Sequence, residues 1–149
     1  TDHTPHAGTF NNNTLTMSAG IAALEEIYTP DVARAHNARG DALREALNGI
    51  AARRDVPVVV TGKGTMMAIH PARQAPRNAA DVAATDQLAK ELLFLDLLER
   101  GYYIARRGMI GLSLVVGEAE LAGFRDAFDE VLALRAPLLR GAPQAADAT

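Results

Sequence analysis

Val56-Pro57-Val58-Val59-Val60-Thr61-Gly62-Lys63-Gly64-Thr65-Met66-Met67-Ala68-Ile69-His70 sits near the middle of the chain. Val56–Val60 is β-branched and reads as a strand, and Thr65–His70 reads as a second. Thr61-Gly62-Lys63-Gly64 joins them. Glycines flanking a lysine suggest a phosphate loop, but the spacing and the following helix of a Walker loop are absent. Two strands around a short glycine turn instead predict an antiparallel hairpin.

The flanking sequence is helical on both sides. Upstream, Leu15, Ala19, Ala22, Ala23 and Ile27 form one apolar stripe and predict a helix over 15–28. Thr29-Pro30-Asp31 then starts a second helix, with Thr29 as cap and Pro30 in the first turn, running to about Ala52. Val32, Ala35, Arg39, Leu43, Ala46, Leu47 and Ile50 mark its inward side, with His36 nearby.

Downstream, 78–100 reads as one long helix, capped by Asn78 and stopped by Gly101. Its expected core face is Val82, Leu88, Leu92, Leu95 and Leu98, with Asp86, Lys90 and Glu91 outside. Tyr102–Arg106 and Met109–Val116 read as two further strands. A last helix begins near Glu118, buries Leu121, Phe124, Phe128, Val131 and Leu134, and is expected to end at Pro137. The pattern predicts an α+β fold, a small and mainly antiparallel sheet with helices packed on one face. Residues 1–28 form the lead-in, 29–140 the domain and 141–149 a tail expected to be disordered.

At 149 residues, with 48% hydrophobic residues, the chain can build one core. A net charge of −3 gives no electrostatic reason to expect nucleic acid or an anionic membrane. The absence of cysteine excludes disulfides and thiolate metal sites and fits a cytoplasmic setting. No apolar run is long enough to cross a membrane as a helix. The first residue is not methionine, and the abrupt polar start suggests part of a longer polypeptide. His3 and His6 are spaced for a metal on a helix, but Pro5 disfavours that helix and no carboxylate cluster supports it, so no metal is expected.

The remaining signal is Pro5-His6-Ala7-Gly8-Thr9-Phe10-Asn11-Asn12-Asn13-Thr14-Leu15, a small polar turn running into the first helix. Free N–H groups and the positive helix end favour an anion there, and Thr9 adds a hydroxyl. An ordinary N-cap explains the same residues. His6–Asn13 with Leu15-Thr16-Met17-Ser18-Ala19-Gly20 resembles the HGGTFNxNPLxMAAG segment of class III aminotransferases, nearest the glutamate-1-semialdehyde aminomutase branch. Thr14 replaces the family's proline. The hairpin is also similar to the family's TGxGSMxxIH hairpin, and the resemblance runs from about His6 to Leu139.

This resemblance implies the C-terminal small domain of a fold-type I enzyme that uses pyridoxal 5'-phosphate. It implies that Gly8, Thr9 and Phe10 border the cofactor phosphate across a homodimer interface. The cofactor needs a Schiff-base lysine and an acidic partner for its ring nitrogen. Lys63 in a turn and Lys90 on an expected solvated face suit neither role, so the lysine is expected upstream and no catalytic residue is assigned within the chain.

The implied partners are a large domain of the same enzyme and a small amino or semialdehyde substrate. Ile110–Leu114 lacks the arginine that many relatives use for a substrate carboxylate, which agrees with the aminomutase branch and also with an aminotransferase acting on another amino donor. Val115-Val116-Gly117 stands where that branch often has histidine. Arg106 and Arg107 could reach a carboxylate or simply be surface arginines at a turn. A stand-alone, non-catalytic binding or dimerisation module remains the alternative to the enzyme reading.

Overall fold

A computed structural model describes Gly8 and residues 13–141. The chain divides into two compact units, Thr1–Ala35 and His36–Thr149. In the first, α1 spans Thr14–Ala22, and a π-helical turn over Ala23–Ile27 follows it, closed by the Tyr28 N–H donating to the Ala23 carbonyl at 2.6 Å. None of their residues is buried; Leu15 and Leu24 are 80% and 68% exposed. Helix α2 spans Pro30–Arg53, and Thr29 caps it as expected, its hydroxyl accepting from the Val32 N–H.

In the second unit β1 (Val59–Lys63), β2 (Met66–His70) and β3 (Met109–Gly111) form a three-stranded antiparallel sheet in that order. The hairpin expected from the sequence is present, but its first strand lies further along the chain. Val59 pairs with His70 and Lys63 with Met66, so the turn is only Gly64-Thr65. Gly64 takes φ +57°, as the first position of a primed two-residue turn requires. Thr61, Gly62 and Lys63 belong to the ladder, not the turn. Val60, Met67, Ile69 and Ile110 share the buried face of the sheet.

Helices cover that face. Leu43, Leu47 and Ile50 of α2 meet the core with Phe124, Phe128, Val131, Leu132 and Leu139 of α5 (Glu118–Gly141). Two helix ends close in Schellman turns. Asp55 at φ +50° lets the Val56 N–H reach the Ala51 carbonyl, and Gly101 at φ +85° lets Tyr102 reach Leu97.

Several expectations are corrected. The single helix over 78–100 is two, α3 (Ala79–Ala84) and α4 (Gln87–Glu99). The Thr85 hydroxyl donates to the Val82 carbonyl and the Asp86 carboxylate accepts from the Ala89 N–H at 2.9 Å, so one residue ends a helix and the next starts another. The break also resets the face. Ala89, Leu93 and Leu97 are buried, while Leu88, Leu95 and Leu98 are exposed. Lys90, expected outside, is 4% exposed.

Tyr102–Arg106 is not a strand. Ala105 and Met109 close a tight turn, and aromatic contacts hold the approach to it, with Tyr102 5.5 Å from Phe124 and Tyr103 6.1 Å from Phe94. The last strand is three residues, not eight. Leu134 is 55% exposed rather than core. Pro137 does not end α5, although it removes one helical N–H. Buried Leu139 and the Arg140 guanidinium, donating to the Asp55 and Arg54 carbonyls at 2.9 and 2.6 Å, hold the turn beyond it. Residues 142–149, and with them almost all of the expected tail, lie outside the described residues.

A polar row on α2 binds the open edge of β1. Asn48 donates to the Val60 carbonyl at 2.9 Å and accepts from the Val60 N–H at 2.8 Å. Arg44 donates to the Gly62 carbonyl at 2.9 Å, Asp41 accepts from the Gly64 N–H at 2.9 Å, and Asn37 accepts from the Thr65 N–H at 3.2 Å. These bonds satisfy edge groups that would otherwise be free to pair with another chain.

Candidate functional site

The proposed phosphate-side residues are only partly described. Gly8 is exposed coil, and Thr9 and Phe10 lie outside the described residues. The start of α1 is described, and two of its backbone donors are already used. The Asn13 side chain accepts from the Leu15 N–H at 3.0 Å and the Thr16 N–H at 3.3 Å. Here the ordinary cap accounts for the helix end. His3 and His6 also lie outside the described residues, and no group of three or more metal-ligating side chains occurs among the described residues.

The two lysines have opposite settings. Lys63 ends β1 and is exposed. Lys90 is buried on α4, and desolvation pushes its ammonium below the usual lysine range. Its neighbour His70, 5% exposed, ends β2. The His70 Nε2 shares a 3.0 Å hydrogen bond with the Thr61 hydroxyl, while Nδ1 is buried with no partner among the described residues. Burial lowers the His70 pKa, and the Lys90 charge lowers it further. Leucine-rich sequence around Lys90 conceals this placement, because apolar residues occur on every side of that helix.

His36 is a packed histidine, 4% exposed, with Nε2 3.0 Å from the Leu112 carbonyl. Arg39 donates to Glu118 at 3.1 Å and to the Val116 carbonyl at 2.6 Å. Both residues fix the segment that leads into α5. Arg106 and Arg107 border a surface depression together with Gln87, Lys90 and Glu91. Arg106 is ion-paired with Glu91. Arg107 is exposed, and its guanidinium contacts the Met109 sulfur at 3.5 Å. No carboxylate pairs with it among the described residues.

The aminotransferase class-III family description matches residues 1–132. The chain belongs to the class III aminotransferases. It is 43% identical over 121 residues to an uncharacterized aminotransferase of Schizosaccharomyces pombe, covering 80% of this chain and 27% of that protein. It is 41% identical over 116 residues to the β-phenylalanine transaminase of Variovorax paradoxus, covering 78% and 27%. The glutamate-1-semialdehyde 2,1-aminomutase of Verminephrobacter eiseniae is 39% identical over 99 residues, covering 66% and 23%.

The crystal structure of a β-phenylalanine aminotransferase from Variovorax paradoxus aligns with a TM-score of 0.84 at 37% identity, covering 93% of this chain and 32% of that one. The chain thus spans about a quarter of the length of the curated relatives it matches. The α+β fold and the family expected from the sequence both hold.

Pyridoxal phosphate is the cofactor this family implies. The described residues do not fit its reactive end. Lys63 is exposed at a strand end, Lys90 is held in a helix with no acidic partner, and two of the donors at the start of α1 are taken by Asn13.

Proposed function

We propose that the chain is the C-terminal part of a pyridoxal-phosphate-dependent enzyme that transfers an amino group. The family match over 1–132 carries this reading. The cofactor-binding lysine and its acidic partner are assigned to the part of the relatives' length that this chain does not span. Within the chain, Gly8, Thr9 and Phe10 are the residues proposed to border the cofactor phosphate, donated across a homodimer interface. Thr9 would supply a hydroxyl, and the backbone around Gly8 can approach closely because that residue has no side chain. Residues 1–28 join a large domain, and the exposed apolar side chains of Leu15, Met17, Ile21, Leu24 and Ile27 support a cover over that helix. The cytoplasm is the proposed compartment.

Both named relatives at 41% and 39% identity act on amino compounds that bear a carboxylate, so the proposed substrate is a small carboxylated amine or amino aldehyde. The experiment is reconstitution of the full-length protein with pyridoxal phosphate. Cofactor absorbance is then followed on adding β-phenylalanine or glutamate 1-semialdehyde. An amine-dependent spectral change is expected, and the substrate that gives turnover separates transaminase from aminomutase. Thr9→Ala should weaken cofactor binding by about tenfold or more, the worth of one hydrogen bond to a charged group. A full-length protein that takes up no pyridoxal phosphate would refute the proposal.

A further inference from the structure

Arg107 and Met109 stand on either side of a bend. Gly108 between them takes φ +86°, and hydrogen bonds tie the backbone around it. The Gly108 N–H donates to the Ala105 carbonyl at 2.7 Å, the Ile69 N–H donates to the Gly108 carbonyl at 2.9 Å, and the Ala105 N–H donates to the Met109 carbonyl at 2.9 Å. On this fixed turn the Arg107 Nη2 reaches the Met109 sulfur at 3.5 Å. A thioether is a weak acceptor, so the contact places the guanidinium without holding it. Among the described residues no ion pair holds Arg107 either, whereas its neighbour Arg106 is bound by Glu91.

The four methionines differ in setting. Met67 is in the core, and Met17 and Met66 are exposed. Met109 is half-buried on β3, an outer strand of the sheet, and among the described residues it is the one whose sulfur meets a cation.

We infer that Met109 is an oxidation-sensitive site whose sulfoxide captures Arg107. Hydrogen peroxide gives one oxygen atom to the sulfur. The O–O bond breaks, an S–O bond forms, the thioether loses two electrons, and the peroxide leaves as water. The product is polar, and its oxygen is a far better acceptor than the thioether, at the point where the guanidinium already rests. A hydrogen bond from a charged donor is about twice as strong as a neutral one. Oxidation therefore replaces a loose contact by a charge-assisted bond and ties down an arginine that the fold leaves without an ion pair. Methionine sulfoxide reductases, one class for each epimer, reverse the step. The inference stands on this contact and does not rest on the amino-transfer reading.

The full-length protein is treated with hydrogen peroxide and then labelled at arginine with phenylglyoxal, both read by peptide mass spectrometry. Buried Met67 is the standard for oxidation, and Arg73, exposed in the loop after β2, is the standard for labelling. Met109 should oxidise well before Met67. Arg107 labelling should then slow about tenfold, the worth of one hydrogen bond to a charged group, while Arg73 is unchanged. Adding both classes of reductase should restore it. Met109→Leu keeps the bulk and removes the sulfur, so peroxide should leave Arg107 labelling in that variant unaltered.

A Met109 that oxidises no faster than Met67 would overturn the inference. So would equal Arg107 labelling before and after Met109 is oxidised. A slowing that persists in peroxide-treated Met109→Leu would put the effect on another residue and overturn it too. An Arg107 that resists phenylglyoxal before oxidation would do the same, because its guanidinium would already be held.

Discussion

Gly40→Ala is the sharpest test of how α2 meets the hairpin. A Cβ on Gly40 would lie 2.1 Å from the Gly64 carbonyl oxygen, 2.5 Å from its carbon and 2.8 Å from the Thr65 nitrogen. All three are backbone atoms, so relief requires the turn to move by about 1 Å, since carbon–oxygen contacts sit near 3.3 Å. Overpacking of this kind costs roughly 1–3 kcal/mol. The same movement stretches the Asp41–Gly64 and Asn37–Thr65 hydrogen bonds, each worth about 0.5–1.5 kcal/mol. Helix propensity returns about 1 kcal/mol. The net loss is therefore on the order of 3 kcal/mol, localised at the hairpin.

Gly49→Ala, one helical face away on the same helix, is the control. Its Cβ would meet only Arg53 Nη1 at 3.6 Å, an ordinary contact, so it should gain about 0.5–1 kcal/mol. Hydrogen exchange of the peptide covering 59–70 reads both. Exchange at that hairpin should accelerate about a hundredfold in Gly40→Ala, and should be unchanged or slower in Gly49→Ala. If the two variants behave alike, the close approach of α2 to the turn is refuted.

Three further outcomes follow from the polar contacts. Asp96 is 4% exposed and binds the partly exposed Arg135 through two hydrogen bonds of 2.7 and 2.8 Å, so Asp96→Ala should cost about 1.5–3 kcal/mol of α4–α5 stability, whereas Asp96→Leu with Arg135→Met together should be near neutral, both by denaturant titration. Burial holds His70 below its ordinary pKa of 6.5, so the unfolded chain binds the extra proton first. Hairpin protection should thus be complete above that value and fall as pH drops from it toward the folded value, and His70→Gln should remove this limb of the exchange–pH profile. Asp41 is shifted the other way, lowered by the Gly64 N–H and then by Arg44. Its contribution is present above the ordinary 3.8 and lost as pH falls through the folded value, so Asp41→Asn should abolish that acid limb in the same profile.

What was legible in the sequence were features that act locally. The Thr29 cap, the Gly101 stop and the hairpin each rest on residues within a few positions of one another. The family was legible for a different reason, because the His6–Gly20 and hairpin motifs carry it directly. The α4 face was not legible. Leu92-Leu93-Phe94-Leu95 offers an apolar residue in every direction, and only the break at Thr85-Asp86 and the packing of α5 select Leu93 and Leu97 over Leu95 and Leu98. Lys90 was misplaced for the same reason. Tyr102–Arg106 looked like a strand because aromatic and β-branched residues suit strands, but the same residues serve as anchors against helices. Of the candidate site, Thr9 and Phe10 were nameable only by resemblance. The Lys90 depression was invisible because its lining comes from α4 and from the 106–107 turn, which periodicity does not bring together.

The arrangement of α2 shows how one helix can carry two instructions at the same period. His36, Gly40, Leu43, Leu47 and Ile50 form the buried stripe, at steps of four, three, four and three. Asn37, Asp41, Arg44 and Asn48 repeat those first steps one residue later and bind β1 and its turn. One residue is 100° of helix rotation, so the polar stripe lies beside the apolar one and faces whatever borders the core. What borders it here is the open edge of β1, whose groups need partners once the hairpin docks. An amphipathicity reading scores only the contrast between apolar and polar faces, and it assigns the second stripe to solvent. The offset by one residue is the signal that it is not solvent-facing. Gly40 sits in the apolar stripe beside Asp41 because the helix must come close enough for these short side chains to reach backbone. Removing the glycine therefore breaks the polar stripe as well as the packing, which is why its predicted cost exceeds that of a steric contact alone.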